Sequence, residues 1–309
     1  MSIGVLFSSN APHIRSNRTT SYIMREVIFA LLPIVIFASV YFGIRVLLIV
    51  TISVLSAVLS EFLFEFVFHR RITIGDCSAA LTGLIFALML PVSVPWWIPA
   101  SGAFLAIILV KQVFGGIGKN IFNPALFSRC VMMLVFPGIM STFTVDGISV
   151  PTPLVCMSEN VKLLPDRISC FLGVVPGSIG ETSCLLILLG GMYLVIRRIV
   201  DFRIPLAYMA SSFILSYLLG LDGIYQIISG GLMFSAFFVA TDFTTSPMTP
   251  GAKWVFGALC GVLTILVRTY TNFPEGICFA VLLMNLMRFP LDRLLISPAY
   301  GMKKTRQTK

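Results

Sequence analysis

Charge is what this chain has least of. Only 11% of its 309 residues are Asp, Glu, Lys or Arg, against about 25% in soluble globular proteins. A chain this poor in charge cannot cover a water-facing surface, so a soluble fold is excluded. Acids are scarcer still: 13, beside two histidines. No Ser/His/Asp or Cys/His set and no His-rich metal spacing emerges, so hydrolytic and metal chemistry have little to work with. The seven cysteines (Cys77, Cys130, Cys156, Cys170, Cys184, Cys260 and Cys278) contain no Cys-x-x-Cys. That argues against iron–sulfur ligation wholly within this chain, c-type haem attachment and a zinc ribbon. They read as small, soft residues between helices, although Cys156 and Cys170 share one expected loop and could pair. A cleavable signal peptide is also missing: the first 25 residues are polar and basic, with His13, Arg15, Arg18 and Arg25. Insertion is expected to use the first span itself.

What is there is apolar. Hydrophobic residues make up 57% of the chain and the mean hydropathy is +0.97. They fall in runs of roughly 17 to 24 residues, the length that crosses a hydrocarbon core of about 30 Å. The runs predict an all-α, polytopic integral membrane protein with about ten transmembrane helices. They lie near 26–43, 46–67, 77–91, 96–114, 121–138, 181–197, 204–220, 223–241, 252–268 and 275–289. The third is short and is interrupted by Pro91 and Pro95. Gly and Pro recurring through the runs argue for helices over a barrel, whose strands alternate every second residue. Ten spans divide into two five-helix halves, inverted because five is odd. The polar breaks near 115–124 and 240–250 tempt that pairing, but both fall on one expected face and so do not support inversion. The organisation reads as an N-terminal segment 1–25, a first bundle half 26–138, a loop 139–180, a second bundle half 181–289 and a basic tail 290–309.

Placement of the +9 net charge argues against nucleic acid as a partner. With loops assigned alternately, one side collects 17 of the 22 Lys and Arg, Lys111, Lys119 and the tail among them. The other side holds Arg45, Lys162, Arg167 and Arg268, and Arg129 lies inside a span. Cytoplasmic loops carry the Lys/Arg excess. Both termini are therefore expected in the cytoplasm, with 139–180 outside it.

Polar residues inside spans are the functional candidates. Glu61 and Glu65 lie one turn apart; Glu65 is near enough to the cytoplasmic end to pair with Arg70 or Arg71. Glu61 is deeper, and is the candidate for an ion or proton path. Arg129, about 9 Å beyond Asn123 at helical rise, needs an acceptor: a helix-end carbonyl, a carboxylate or an anionic cofactor. Asn123-Pro124 fits an N-cap and first turn. The preceding Gly115-Gly116-Ile117-Gly118-Lys119-Asn120 is no P-loop, since Ser or Thr does not follow Gly-Lys. Asp242, among Thr244, Thr245 and Ser246, either helps hold a cofactor or cation or caps a broken helix. Ser178-x-x-Glu181 reads as a capping box opening the sixth span.

Taken in order, several motifs together resemble a known family. They are Asn10-Ala11-Pro12-His13-Ile14-Arg15-Ser16, Lys119-Asn120-Ile121-Phe122-Asn123-Pro124-Ala125, Pro176-Gly177-Ser178-Ile179-Gly180-Glu181-Thr182, Arg203-Ile204-Pro205-Leu206 and Thr241-Asp242 through Pro250. The chain resembles the D-type subunits of Rnf-type ion-translocating ferredoxin–NAD oxidoreductases, and is similar to the B-type subunits of sodium-pumping NADH–quinone oxidoreductases. The resemblance implies an electron-relaying membrane flavoprotein in a complex that drives Na⁺ or H⁺ outward. It further implies FMN joined by a phosphoester to a threonine, placed there by a flavin transferase. Asp146-Gly147-Ile148-Ser149-Val150-Pro151-Thr152 keeps that motif's acid, hydroxyl and acceptor, Asp146, Ser149 and Thr152. It departs at Val150, where glycine is usual, and at Pro151, where alanine is usual. A noncovalent riboflavin is implied too, with Lys119, Asn120, Asn123, Asp242, Thr244 and Thr245 as candidate contacts. Nicotinamide and ferredoxin sites are missing, so partner subunits of the complex must supply them, and the chain is expected to be inert alone. The rivals are the quinone-reducing relative, which usually has a longer N-terminal extension, and a transporter or channel without redox chemistry.

Overall fold

The computed structural model describes residues 19–145, 148–158, 165–181, 183–271 and 276–295. The motif at 10–16, Asp146, Lys162 and Thr182 lie outside these residues, as does the side chain of Ser149.

Helix α1 (Thr20–Phe42) starts where the Thr19 hydroxyl accepts a hydrogen bond from Tyr22 N, satisfying one of the unpaired first-turn N–H groups. It stops at Gly43, whose φ of +87° suits glycine alone. Helix α2 (Arg45–Val67) follows at once. Both are 23 residues long, about 35 Å at helical rise. On α2 the usual polarity is inverted: Ser53, Ser60, Glu61 and Glu65 are buried while Leu48, Leu55, Leu59, Leu63 and Phe66 are exposed. An apolar exterior around a polar seam suits lipid as solvent. Together with α13 (Pro250–Tyr270), these are the three helices among the described residues long and apolar enough to cross a membrane. The shorter apolar helices are α3 (Ser78–Leu88), α4 (Trp97–Leu105, continued by π-helical turns over Ala106–Gln112), α5 (Pro124–Val135) and α9 (Cys184–Ile196).

Every predicted apolar run contains a helix, and the eighth contains two. It is split into α11 (Gly223–Ile228) and α12 (Leu232–Phe234, continued by π-helical turns over Ser235–Val239) around Ser229, Gly230 and Gly231. Helices α10 (Arg203–Leu218) and α14 (Ile277–Leu294) complete the bundle. Helices α10 and α13 approach closely: a Cβ on Gly261 would meet Tyr208 O at 2.5 Å, the backbone contact that small residues permit between membrane helices.

The expected loop 139–180 is more structured than its sequence suggested. It carries the end of α6 (Pro137–Met140), a hairpin of β1 (Thr144–Val145) and β2 (Ile148–Ser149), and helices α7 (Pro153–Ser158) and α8 (Arg167–Leu172). Its last turn enters the bundle. Ile179 N donates to Leu90 O and Gly180 N to Leu88 O, so it satisfies carbonyls orphaned where α3 ends early. This overturns the expected capping box. With Gly180 committed to α3, α9 begins later, and Ser183 caps it by accepting from Leu186 N.

Candidate functional site

Four polar groupings interrupt the apolar interior. The first lies at the end of the bundle that carries Asp76, Gln112, Asp201 and Asp242, here called the basic end. Asn123 caps α5 as its sequence predicts, with Oδ1 accepting from Ala125 N and Leu126 N. Its Nδ2 donates across to Val239 O, the end of the broken eighth segment. Asp242 Oδ2 accepts from the hydroxyls of Thr244 at 2.6 Å and Thr245 at 3.0 Å. Asn120, Asn123, Asp242 and Thr244 line one cavity of about 50 Å³, so the two polar breaks singled out in the sequence do meet. Lys119 does not join them and is exposed; Thr245 reaches the cavity only through Asp242. Asn120 Oδ1 is buried without a partner. A second cavity of about 40 Å³ shares Asn123 and Asp242. That one shares Val200, Thr241 and Phe243 with an open groove of about 650 Å³. The groove is walled by Arg203 and Lys253, both paired with Asp201 at 3.2 and 2.9 Å. Burial works to raise the Asp201 carboxyl, but hydrogen bonds from Lys253 and from Arg203 N and the two cationic charges outweigh it and hold it below the ordinary range.

The second grouping surrounds Glu61, which is fully buried. Lys111 Nζ lies 2.5 Å from Glu61 Oε1 and also donates to Ser78 Oγ at 2.5 Å. Gln112 Nε2 donates to Glu61 Oε1 at 3.0 Å. Lys111 was expected in a cytoplasmic loop and is instead 2% exposed within the π-helical end of α4. The wider π turn lets adjacent Lys111 and Gln112 both face inward. Glu65 also departs from expectation. It accepts from Thr73 N and Oγ1 and from Gln112 Nε2, while Arg70 donates to Gln112 O. The sequence signal for Lys111 and Gln112 was weak: a Lys-Gln pair ending an apolar run just before glycines reads as a loop.

The third grouping is at the opposite end of the spans. Arg129 finds its acceptors in Glu181, at 3.9 Å, and Ser178 Oγ, at 3.4 Å. Arg268, expected in a loop, is also buried. It donates to Gln226 O at 2.7 Å, Gln226 Oε1 at 2.9 Å and Ser229 O at 3.4 Å, capping the carbonyl end of α11. Glycine is favoured at the break by the φ of +68° at Gly230, and a Cβ on Gly231 would push the Glu181 carboxylate aside.

The fourth is Thr152, at the start of α7. Its hydroxyl accepts from Val155 N at 3.4 Å, and it borders a cavity of about 20 Å³ with Val175, Pro176, Gly177, Glu181 and Gly230. Cys156 and Cys170 are both buried and are not joined in a disulfide. Burial pushes the Cys170 thiol up, which makes it a poor nucleophile. Among the described residues no group of three His, Cys, Asp or Glu could hold a metal.

Similarity to known proteins extends along nearly the whole chain. The sequence profile of the NQR2, RnfD, RnfE family matches residues 7–301. The chain belongs to this family. Among its relatives, the D subunit of the Na(+)-translocating ferredoxin:NAD(+) oxidoreductase complex of Acetobacterium woodii is 38% identical, over 97% of this chain and 96% of the relative. The D subunit of the proton-translocating ferredoxin:NAD(+) oxidoreductase complex of Clostridium ljungdahlii is 35% identical, over 96% of each. The D subunit of the ion-translocating oxidoreductase complex of Stutzerimonas stutzeri is 34% identical, over 90% of this chain and 91% of the relative. The resemblance to D-type subunits drawn from the ordered motifs is thereby borne out, and the family's membrane character agrees with the inverted polarity of α2.

Proposed function

We propose that this chain is the D-type membrane subunit of an ion-translocating ferredoxin–NAD oxidoreductase, relaying electrons through flavin. The supporting observation is likeness over nearly the full length to relatives named as that component. Ten spans, termini in the cytoplasm and the 139–180 loop outside it complete the reading, with lipid around α1, α2 and α13. The bundle halves are 26–138 and 181–289. Partner subunits hold the nicotinamide and ferredoxin sites, so the chain alone is inactive.

Thr152 carries FMN through a phosphoester in this reading, set there by a flavin transferase. Thr152 is itself buried, 9% exposed, so an attached flavin requires its ring to lie outside the fold and the start of α7 to open around the hydroxyl. The threonine oxygen lies at the start of α7, between exposed Pro151 and the cavity. A volume of about 20 Å³ rules out an isoalloxazine within the cavity itself, since ligand pockets run to about 300–1,000 Å³. Exposed Val174, beside Val175 of the cavity wall, offers an apolar surface. A noncovalent riboflavin fits the basic end better. The 650 Å³ groove has the size, with Arg198, Arg203, Thr241, Ser246 and Lys253 as its polar lining; Asn120, Asn123, Asp242 and Thr244 line the separate 50 Å³ cavity, which is too small for the ring itself. The flavins supply one- and two-electron chemistry; the protein fixes their place and tunes their potential.

The test is a denaturing gel of the protein expressed with the transferase, viewed under ultraviolet light. A fluorescent band that disappears in Thr152→Ala is expected. A dark wild-type band, or fluorescence surviving that substitution, overturns the assignment.

A further inference from the structure

The pair formed by Glu61 and Lys111 has features that a static neutralising contact does not need. Glu61 Oε1 takes both the ammonium and Gln112, yet Oε2 is fully buried with no partner. An unpaired carboxylate oxygen in a membrane interior is costly, and points to a ligand. The ammonium is also the first link of a chain that leaves the interior. Lys111 donates to Ser78 Oγ, and Ser78 Oγ donates to Asp76 Oδ1, each at 2.5 Å; Asp76 is half-buried at the basic end. On the other side, Lys111 and Ser78 line the 50 Å³ cavity that Asp242 and Thr244 also line, whereas Glu61 does not reach it. That space admits a few water molecules or a small cation. Asp242 has hydroxyl partners and, among the described residues, no ion pair. Lys111 is therefore a cation on a flexible stem between two carboxylates, one paired and one not.

We propose that Glu61 binds one monovalent cation, Na⁺ or H⁺, and that the Lys111 ammonium is its built-in competitor, moving from Glu61 into the cavity beside Asp242 when the cation arrives. Charge balances. Before exchange the Lys111 ammonium neutralises Glu61 and leaves Asp242 with no ion pair among the described residues, only the charge of Arg288 acting on it; afterwards the cation neutralises Glu61 and Lys111 pairs with Asp242. The cation enters by way of Asp76 and Ser78. Exchange avoids the state in which Glu61 is bare, which burial makes prohibitive. The inference rests on the reading of the chain as part of an ion-translocating complex. Relatives of similar identity named for Na⁺ and for the proton are what a carboxylate open to either cation would allow. The other ionisable groups acting on this exchange are Glu65 on α2 and Asp76 before α3, Arg70 at the exit, and Arg288 on α14, whose charge acts on Asp242.

The experiment uses the whole complex, purified and reconstituted in vesicles, with the electron-transfer rate titrated against Na⁺ at fixed pH and against pH without Na⁺. Removing the competitor in Lys111→Met lowers the half-saturating Na⁺ at least tenfold, or moves the pH midpoint up by at least one unit. The profile that moves identifies the cation. Lys111→Arg keeps the charge but holds Glu61 through a rigid fork, so the same midpoint moves the opposite way by a similar factor; it carries the test if the Met variant does not assemble. Glu61→Gln abolishes the cation dependence. Unmoved profiles in both Lys111 variants, with the Thr152 flavin band present, overturn the exchange and leave the function intact. A missing flavin band overturns the proposed function, whatever the titrations show.

Discussion

The bundle holds two sets of buried charge that look alike in composition and differ in construction. At the basic end, Lys111 and Glu61 touch at 2.5 Å, one carboxylate oxygen is unused, and a cavity opens alongside. At the opposite end, Arg129 and Glu181 stand 3.9 Å apart, while Arg268 spends its guanidinium on Gln226 and Ser229. The first uses an ammonium, a compact charge on a stem with rotational freedom; the second uses planar guanidiniums, and Arg268 aims both terminal nitrogens at Gln226 and Ser229 while its Nε has no partner among the described residues. Broken helices explain the second set. An interrupted span leaves carbonyls that no lipid can satisfy, and Arg268 supplies donors where α11 stops. One end is therefore built for a charge to move, the other to hold two interrupted helices in place.

Removing the fixed charge is the harshest way to break that comparison. Arg268→Leu leaves Gln226 O and Ser229 O without their donors in a water-free interior, a loss of about 3–5 kcal/mol. The complex is expected to fail to assemble, read as loss of its peak in size-exclusion chromatography. Arg268→Lys keeps the charge but not the fork, and retains part of the assembled peak. If Arg268→Leu assembles as well as wild type, the opposite end is no more fixed than the basic one.

The reason Arg268 and Lys111 were not legible as interior charges is the same for both. Each closes an apolar run, where the charge rule places a cation in a loop. What buries them is a tertiary event: π-helical widening for Lys111 and a broken neighbouring helix for Arg268. Local signals fared better. Asn123-Pro124 gives its cap and first turn outright because the partners are two and three residues away. Glu61 was legible as deep, and the breaks at 120–123 and 242–245 as polar, but nothing local says that they share a cavity. The capping box read at Ser178-x-x-Glu181 failed for the same reason: Gly180 N is taken by the carbonyl of Leu88, a contact between residues 92 positions apart.

That contact offers a second, gentler break. A Cβ at Gly180 would sit 2.7 Å from Leu88 Cβ and 3.0 Å from Leu88 O, and neither atom can yield without moving α3. Gly180→Ala is expected to cost about 1–3 kcal/mol through overpacking, seen as a lower thermal midpoint of the purified complex. Because Gly180 lies beside Glu181 and far in sequence from Lys111, the cation titration midpoint should stay where it is. A midpoint that moves with this substitution would mean that the two ends are coupled.

The smallest effect separates a charge from a cap on the same residue. Asp222 meets Arg167 at 2.6 Å, but their side chains are 37% and 60% exposed, and solvent and salt screen such pairs to about 0–1 kcal/mol. Asp222 Oδ1 also accepts from Tyr225 N at 3.2 Å and caps α11, the helix whose other end Arg268 closes. Loss of an N-cap costs about 0.5–2 kcal/mol. Asp222→Ala should therefore lower the thermal midpoint clearly, while Arg167→Ala barely moves it. Asp222→Asn, which keeps the cap and loses the charge, should fall close to wild type. Equal losses in Arg167→Ala and Asp222→Ala would show that the ion pair holds α11, and would make this surface contact an exception to the screening argument.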